Sequence, residues 1–200
     1  VRKYNMVQEL VDGGTFLLNC SWSDAELDEH LPGQMKKFIA DHKIKFYTID
    51  GVKIGIETGM GPTRINTILQ SAFFELTGII PAEKANQLMK DAAQKTYGRK
   101  GQDVVEKNWA AIDAGAKNIH AVEVPASWAS CEDEGLDYKV VTEGRKDVVD
   151  FVNNVRTKVS AQEGNTLPVS AFNDYVDGTT PSGSSAYEKR GIAVNVPVWN

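Results

Sequence analysis

The sequence predicts an α/β fold in which a short parallel sheet and several helices are followed by an extended, loop-rich segment. Two apolar stretches of strand length, residues 15–18 and 44–49, flank a segment with helical periodicity. Strands joined by helices are typical of a βαβ unit in a parallel sheet. Proline, glycine, serine and threonine then concentrate in residues 167–190, and so long a loop is typical of a linker or of a functional segment.

The first half of the chain carries clear signals for where its elements begin and end. A helix with Tyr4, Val7 and Val11 on one face is expected to end at the two glycines 13–14, because glycine suits the left-handed position after a helix. The pair Ser23 and Glu26 forms a capping box that opens the next helix, which the proline at position 32 should redirect. The second strand is mostly apolar, as expected for a sheet covered on both faces.

The middle of the chain is predicted to be helical. Residues 59–63 form a loop in which Thr63 is expected to cap the following helix, whose apolar residues recur every three or four positions over 65–76. Pro81 suits the start of another helix, in which Leu88 is among the residues expected to face inward. Further helices are predicted around residues 105–116 and 148–159, and a final strand over 191–199.

Composition excludes several classes of function. The net charge of −5 and the absence of a basic run argue against a nucleic-acid partner. Nothing approaches the roughly 20 apolar residues of a membrane span, so we expect no membrane partner. No signal peptide is visible over residues 1–19 either, and we expect a cytoplasmic location. Cys20 and Cys131 belong to no metal-binding pattern and are expected to be reduced thiols. Both ends of the chain fall inside predicted elements, which leads us to expect a piece of a longer protein.

The motifs that could carry chemistry are weak. Gly59 and Gly61 precede a helix and could cradle a phosphate, but Arg64 stands where a dinucleotide fingerprint needs a further glycine, so a plain turn is favoured. The acidic residues at positions 24, 26, 28 and 29 suit the start of a helix. No nucleophile elbow and no cysteine–histidine pattern is present. The residues alone therefore predict no catalytic, cofactor-binding or metal site.

A charged group, Tyr187–Glu188–Lys189–Arg190, interrupts the segment of small residues near the end of the chain. One interpretation is a loop held by an internal ion pair. The other is an interdomain clasp, because the guanidinium fork of arginine binds carboxylates well across interfaces. The sequence leaves both interpretations open.

Several motifs resemble those of the long, single-chain pyruvate:ferredoxin or pyruvate:flavodoxin oxidoreductases. The stretch DGTTPSGSSAYEKRGIAVNVPVW, residues 177–199, is similar to the EKR domain of that family. Upstream, the motifs GGTFLLN, KFYTID, RINTILQSAFF and KTYGRKG occur in the family's order. The resemblance implies that residues 1–124 form the C-terminal part of a gamma-like αβα domain with a parallel sheet, and that residues 125–200 form an EKR linker domain.

The same resemblance implies the chemistry of a parent enzyme. That enzyme converts pyruvate and coenzyme A to acetyl-CoA and CO2, and its electrons pass to ferredoxin or flavodoxin. Thiamine pyrophosphate, Mg2+ and 4Fe-4S clusters are implied for other domains of the parent, so no cofactor is expected in this chain. The parent is expected to be a homodimer, and its remaining domains are the expected partners of the chain.

The resemblance also suggests a structural role, in which the first domain covers the thiamine site and the EKR segment tethers the iron–sulfur domain. The candidate interdomain contacts are Thr63, Arg64, Asn66, Tyr187, Glu188, Lys189 and Arg190. Two alternatives stay open at this stage. The chain could be a stand-alone interaction module of the same ancestry, or it could bind coenzyme A through the turn at residues 59–63.

Overall fold

The computed structural model describes residues 1–188 and Val198, so Lys189, Arg190 and, apart from Val198, the expected strand over 191–199 lie outside the described residues. The chain divides into two compact units. One is Val7–Glu134, and the other combines Val1–Met6 with the part of the chain from Gly135 onward.

The fold is mixed α/β, as predicted, with a small sheet and many helices. The expected domain boundary after residue 124 stays a prediction.

The sheet lies in the unit Val7–Glu134. Strands β1 (Thr15–Asn19) and β2 (Lys45–Ile49) pair in parallel, with Thr15 opposite Lys45, which confirms the predicted parallel pair. A short strand β3 (His120–Ala121) pairs with β2 in the antiparallel direction. The sequence did not predict β3, because two exposed residues carry no hydrophobic alternation.

The helices of this unit are α1 (Asp24–His30), α2 (Gly33–Asp41), α3 (Gly51–Glu57), α4 (Asn66–Thr77), α5 (Ala82–Tyr97) and α6 (Gln102–Lys117). The capping box at the start of α1 is confirmed. The backbone N–H of Ser23 donates to the Glu26 carboxylate at 2.8 Å, and the Ser23 hydroxyl accepts from the Glu26 N–H. Pro32 separates α1 from α2, as predicted.

The core of this unit joins the sheet to α3, α4 and α6. Its buried residues are Ile49, Ile54, Ile68, Ala72 and Ala111. Helices α4 and α6 approach so closely at Gly115 that a Cβ there would lie 3.0 Å from the carbonyl carbon and Cα of Ile68, and nearer still to its carbonyl oxygen. Glycine at this position therefore sets the distance between the two helices.

The other unit has a small core of its own. Helix α7 (Lys146–Phe151) continues into a π-helical turn (Val152–Arg156) and then into α8 (Thr157–Ser160), so the predicted helix is present. Its buried residues are Val148, Phe151, Val152 and Val155. Short 3-10 turns follow at Val169–Tyr175 and Ser184–Tyr187. None of the helices in the described part of the chain is both long and apolar enough to cross a membrane.

The expected helix before residue 13 is wrong. Residues 1–12 form bends and turns, in which the N–H of Leu10 donates to the carbonyl of Val7. Val7 is buried, but Val11, which belonged to the same predicted face, is 74% exposed. A helix of about ten residues is marginal in water unless one face packs, and this segment lacks that face.

Candidate functional site

Thr63 and Arg64 lie in the loop between α3 and α4, Asn66 is the first residue of α4, and all three are exposed. The loop folds back on α3, where the N–H of Gly61 donates to the carbonyl of Gly55 at 2.8 Å. Gly61 has a φ of +86°, which a residue with a side chain rarely adopts. The predicted tight turn is therefore present.

Thr63 does not cap α4 as expected. The helix begins at Asn66, its N-cap residue is Ile65, and no side chain caps it. Pro62 and Thr63 form a turn of their own before the helix, so Thr63 is two residues too early to reach the first free N–H groups.

Arg64 is the charged residue of this loop, and its side chain is exposed. Among the ion pairs of residues 1–188, none involves Arg64. An exposed guanidinium without an internal carboxylate retains its full fork of donors for a ligand or another protein surface. The arrangement suits recognition of an acidic group and supplies no nucleophile or base.

Tyr187 and Glu188 lie in the other unit. The carbonyl of Tyr187 accepts a hydrogen bond from Arg156 of the π-helical turn, and the Tyr187 hydroxyl donates to the carbonyl of Glu143 at 3.4 Å. The Tyr187 ring packs against the small core around Phe151. Glu188 is exposed and borders a cavity of about 350 Å³. Lys189 and Arg190, the other two candidates of this group, lie outside the described residues.

Tyr138, which lines that cavity, belongs to an ion-paired cluster. The Tyr138 hydroxyl donates to the Glu163 carboxylate, which also accepts from the Lys158 ammonium at 3.0 Å. The hydrogen bond from Tyr138, together with Lys158, lowers the pKa of the Glu163 carboxyl. Burial, and then the bond to Glu163, raises the pKa of Tyr138. Both groups are thus held in their ordinary charge states, which is the behaviour of a structural clamp.

A cleft that the sequence analysis missed lies at the carboxyl ends of β1 and β2. It has a volume of about 610 Å³ and is bordered by Asn19, Cys20, Asp50 and Lys53, among others. The Asn19 side chain accepts from the Gly51 N–H at 2.8 Å and joins the two strand ends. Ligands of open α/β sheets bind at this edge. The signal was available, because two adjacent parallel strands end at residues 19 and 49.

Cys20 in this cleft is not an activated nucleophile. Burial, together with the nearby charge of Asp50, raises the pKa of its thiol despite a backbone hydrogen bond from Trp22. Reactive cysteines need the opposite shift. Across the described part of the chain, no group of three or more histidine, cysteine or carboxylate side chains could hold a metal ion.

Thr63, Arg64 and Asn66 lie within four residues at the end of the α3–α4 loop and the start of α4, and Tyr187 and Glu188 line one cavity. The two groups belong to different units. Each group is thus a separate candidate surface.

Two sequence-family profiles match the chain. The profile described as pyruvate ferredoxin/flavodoxin oxidoreductase matches residues 1–118. The EKR profile, described as a domain of unknown function, matches residues 139–193.

Individual relatives align over essentially the whole chain. The pyruvate-flavodoxin oxidoreductase of Enterobacter agglomerans is 47% identical over 199 residues, all of this chain and 16% of the relative. The pyruvate:ferredoxin oxidoreductase of Moorella thermoacetica is 44% identical over the same share of each. The pyruvate dehydrogenase [NADP(+)] of Cryptosporidium parvum is 39% identical over 99% of this chain and 11% of the relative. The chain thus spans about a sixth of the length of the first two, and it belongs to the pyruvate ferredoxin/flavodoxin oxidoreductase family.

Proposed function

We propose that this chain is an internal structural segment of a pyruvate:ferredoxin or pyruvate:flavodoxin oxidoreductase. In this proposal the enclosing enzyme converts pyruvate and coenzyme A to acetyl-CoA and CO2 and passes electrons to a small redox protein. One observation carries the proposal: the whole chain aligns with relatives of which it forms only a small part. The gamma-like and EKR domain assignments, the cytoplasmic location and the homodimeric parent are further parts of the same proposal.

The segment contributes no cofactor ligand in this proposal. An iron–sulfur cluster needs several thiolates at one place, and the described residues contain two separate cysteines, Cys20 and Cys131. They also contain no carboxylate group suited to Mg2+. Because the described residues do not fit these groups, thiamine pyrophosphate, Mg2+ and the 4Fe-4S clusters belong to other domains of the enzyme.

The role we assign to the segment is to cover the reacting centre and to hold neighbouring domains in place. Exclusion of water from a reactive intermediate requires a closed cover. The α3–α4 loop provides an exposed Arg64 for a carboxylate of a neighbouring domain. Tyr187, fixed through Arg156, provides a second, more rigid attachment point.

The electron acceptor is set elsewhere in the enzyme. The relatives that share this segment are named for flavodoxin, for ferredoxin and for NADP(+). The segment aligns over essentially its full length in all three relatives, so its presence does not depend on which acceptor is used. We therefore assign the choice between ferredoxin and flavodoxin to domains outside this chain.

The experiment begins with the complete polypeptide that contains this chain, assayed for pyruvate- and coenzyme A-dependent reduction of ferredoxin or flavodoxin. The expected result is activity in the complete polypeptide and none in the 200-residue chain. A complete polypeptide that is folded, loaded with its cofactors and inactive towards pyruvate would refute the proposed function.

The contact role of Arg64 is then tested in that polypeptide. Arg64→Ala is expected to lower turnover and to speed limited proteolysis, by roughly 1.5- to fivefold if one exposed charge pair is lost. Arg64→Lys keeps the charge and removes the fork, so it should give a smaller effect of the same kind. Lys45→Gln removes an exposed charge at the start of β2 and serves as the control. If Arg64→Ala behaves like this control, Arg64 makes no interdomain contact.

A further inference from the structure

Large apolar side chains are exposed on the α4–α5 side of the unit Val7–Glu134. Phe73 is 47% exposed, Ile79 is 72% exposed and Leu88 is 50% exposed. Leu88 was predicted to face inward, and that prediction is wrong. Helix α5 buries only two of its residues, Ala85 and Ala93, so within residues 1–188 its larger side chain Leu88 is left half exposed.

Polar contacts hold α5 in place. The Lys90 ammonium lies 2.7 Å from the Asp113 carboxylate, which also accepts a hydrogen bond from the Asn86 side chain at 3.0 Å. The indole N–H of Trp109 donates to the carbonyl of Lys90 at 3.0 Å. These bonds all reach α6 from one side of α5. They fix the position of α5 while its apolar residues line an open surface.

That surface includes a groove of about 320 Å³ between α4 and α5, called here the α5 groove. Its apolar lining consists mainly of Phe74, Ile80, Leu88, Met89 and Tyr97. Phe73 extends the apolar surface, because its ring meets that of Phe74 edge-on at 5.5 Å. Methionine and aromatic side chains adapt well to an inserted partner.

Close in sequence to Tyr97, which lines the groove, the chain carries three cations, Lys95, Arg99 and Lys100, called here the basic end. The Lys100 ammonium lies 5.6 Å from the centre of the Tyr97 ring, at the point where that ring lines the groove. All three cations are exposed, and among the ion pairs within residues 1–188 none involves them. An acidic partner is therefore favoured at this end.

We propose that the α5 groove binds an amphipathic helix from another part of the enclosing oxidoreductase polypeptide. Its apolar face would fill the groove, and acidic residues at one of its ends would meet Lys95, Arg99 and Lys100. An amphipathic helix laid in an apolar groove is a general recognition mode. The occupant is assigned to the same polypeptide because the relatives carry about five-sixths of their length outside this segment, and in this respect the inference rests on the proposed function.

The test measures amide hydrogen exchange in the 200-residue chain and in the complete polypeptide. Exchange in α5 is expected to be at least about tenfold slower in the complete polypeptide, because a buried helix opens less often. Leu88→Glu places a charge in the groove and should return α5 to the faster exchange of the isolated chain. Val11→Glu alters a side chain that is 74% exposed on a loop of the same unit and serves as the matched control.

A second variant tests whether positive charge at the basic end contributes to binding. Lys100→Glu reverses one charge at the basic end and should speed exchange in α5 of the complete polypeptide about three- to tenfold. Because Lys100 is exposed, this variant stays informative even if Leu88→Glu fails to fold. The effect should shrink at high salt, since exposed charge pairs are screened.

Equal exchange of α5 in the chain and in an active complete polypeptide would overturn this inference and leave the proposed function standing. A complete polypeptide inactive towards pyruvate would remove the proposed function itself. If the isolated chain instead forms a dimer that Leu88→Glu dissociates, with exchange in the complete polypeptide unaffected, then the occupant is a second copy and the proposal is wrong.

Discussion

Replacement of Gly115 by alanine tests the close approach of α4 and α6. In the middle of a helix this change ordinarily stabilises a protein by up to about 1 kcal/mol, because alanine is the better helix former. Here the new Cβ would lie 3.0 Å from two backbone atoms of Ile68 and nearer still to its carbonyl oxygen. Backbone cannot rotate away as a side chain can, so the cost lies near the upper end of the roughly 1–3 kcal/mol for overpacking.

The net expectation is a loss of about 2 kcal/mol in the free energy of unfolding, measured by urea denaturation followed by circular dichroism. Gly98→Ala is the matched control. It sits at the end of α5 with helical dihedral angles, and its Cβ would meet only the flexible tip of Gln94 at 3.0 Å. This control should be neutral or stabilise by about 0.5 kcal/mol. Equal stability of Gly115→Ala and the wild-type chain would refute the close packing of the two helices.

Two further predictions concern the first helix and the π-helical turn. Ser23→Ala should lower the free energy of unfolding by about 1 kcal/mol through loss of the N-cap. The backbone N–H and the hydroxyl of Ser23 also donate to the Glu26 carboxylate and lower its pKa. The stabilisation from these two bonds is present above the unfolded-state pKa of Glu26 and is lost as pH falls through its folded-state pKa. NMR titration should show the Glu26 pKa rising towards its ordinary value in the variant, and an unmoved pKa would contradict the capping box. Asn153→Ala should speed proteolysis near Val141, because the Asn153 side chain makes two hydrogen bonds to the Val141 backbone at 2.8 and 2.9 Å, whereas Asn154→Ala alters an exposed neighbour and should change nothing. Equal cleavage rates in the two asparagine variants would show that these bonds do not hold the backbone at Val141 in place.

Local signals in the sequence predicted the elements whose cause is local. The capping box at Ser23 and Glu26 is set by residues three apart, and it is present. The parallel pair β1 and β2 follows from two apolar runs separated by a helical segment. The period of α4 likewise placed Ile68 and Ala72 in the core. In each instance the residues that determine the structure lie within one element or its neighbour.

The features that the sequence did not predict depend on distant contacts. Leu88 belongs to a regular apolar stripe, and whether that stripe is buried depends on what packs against α5. Val11, before β1, was likewise predicted on an apolar helix face and is exposed. Prediction of the cleft beside Cys20 depends on knowing that β1 and β2 end at the same edge of the sheet. Propensity fixes which face of a helix is apolar, and only tertiary packing decides whether that face is covered.

The π-helical turn Val152–Arg156 has a consequence for how this segment tolerates insertions and deletions. A π turn holds one residue more than an α turn, and each residue advances an α-helix by about 100°. Removing one residue there would restore an unbroken α-helix and swing Arg156 away from the carbonyl of Tyr187. The number of residues in this turn therefore determines whether Arg156 can reach the carbonyl of Tyr187. A deletion here would break that hydrogen bond even if every side chain were kept.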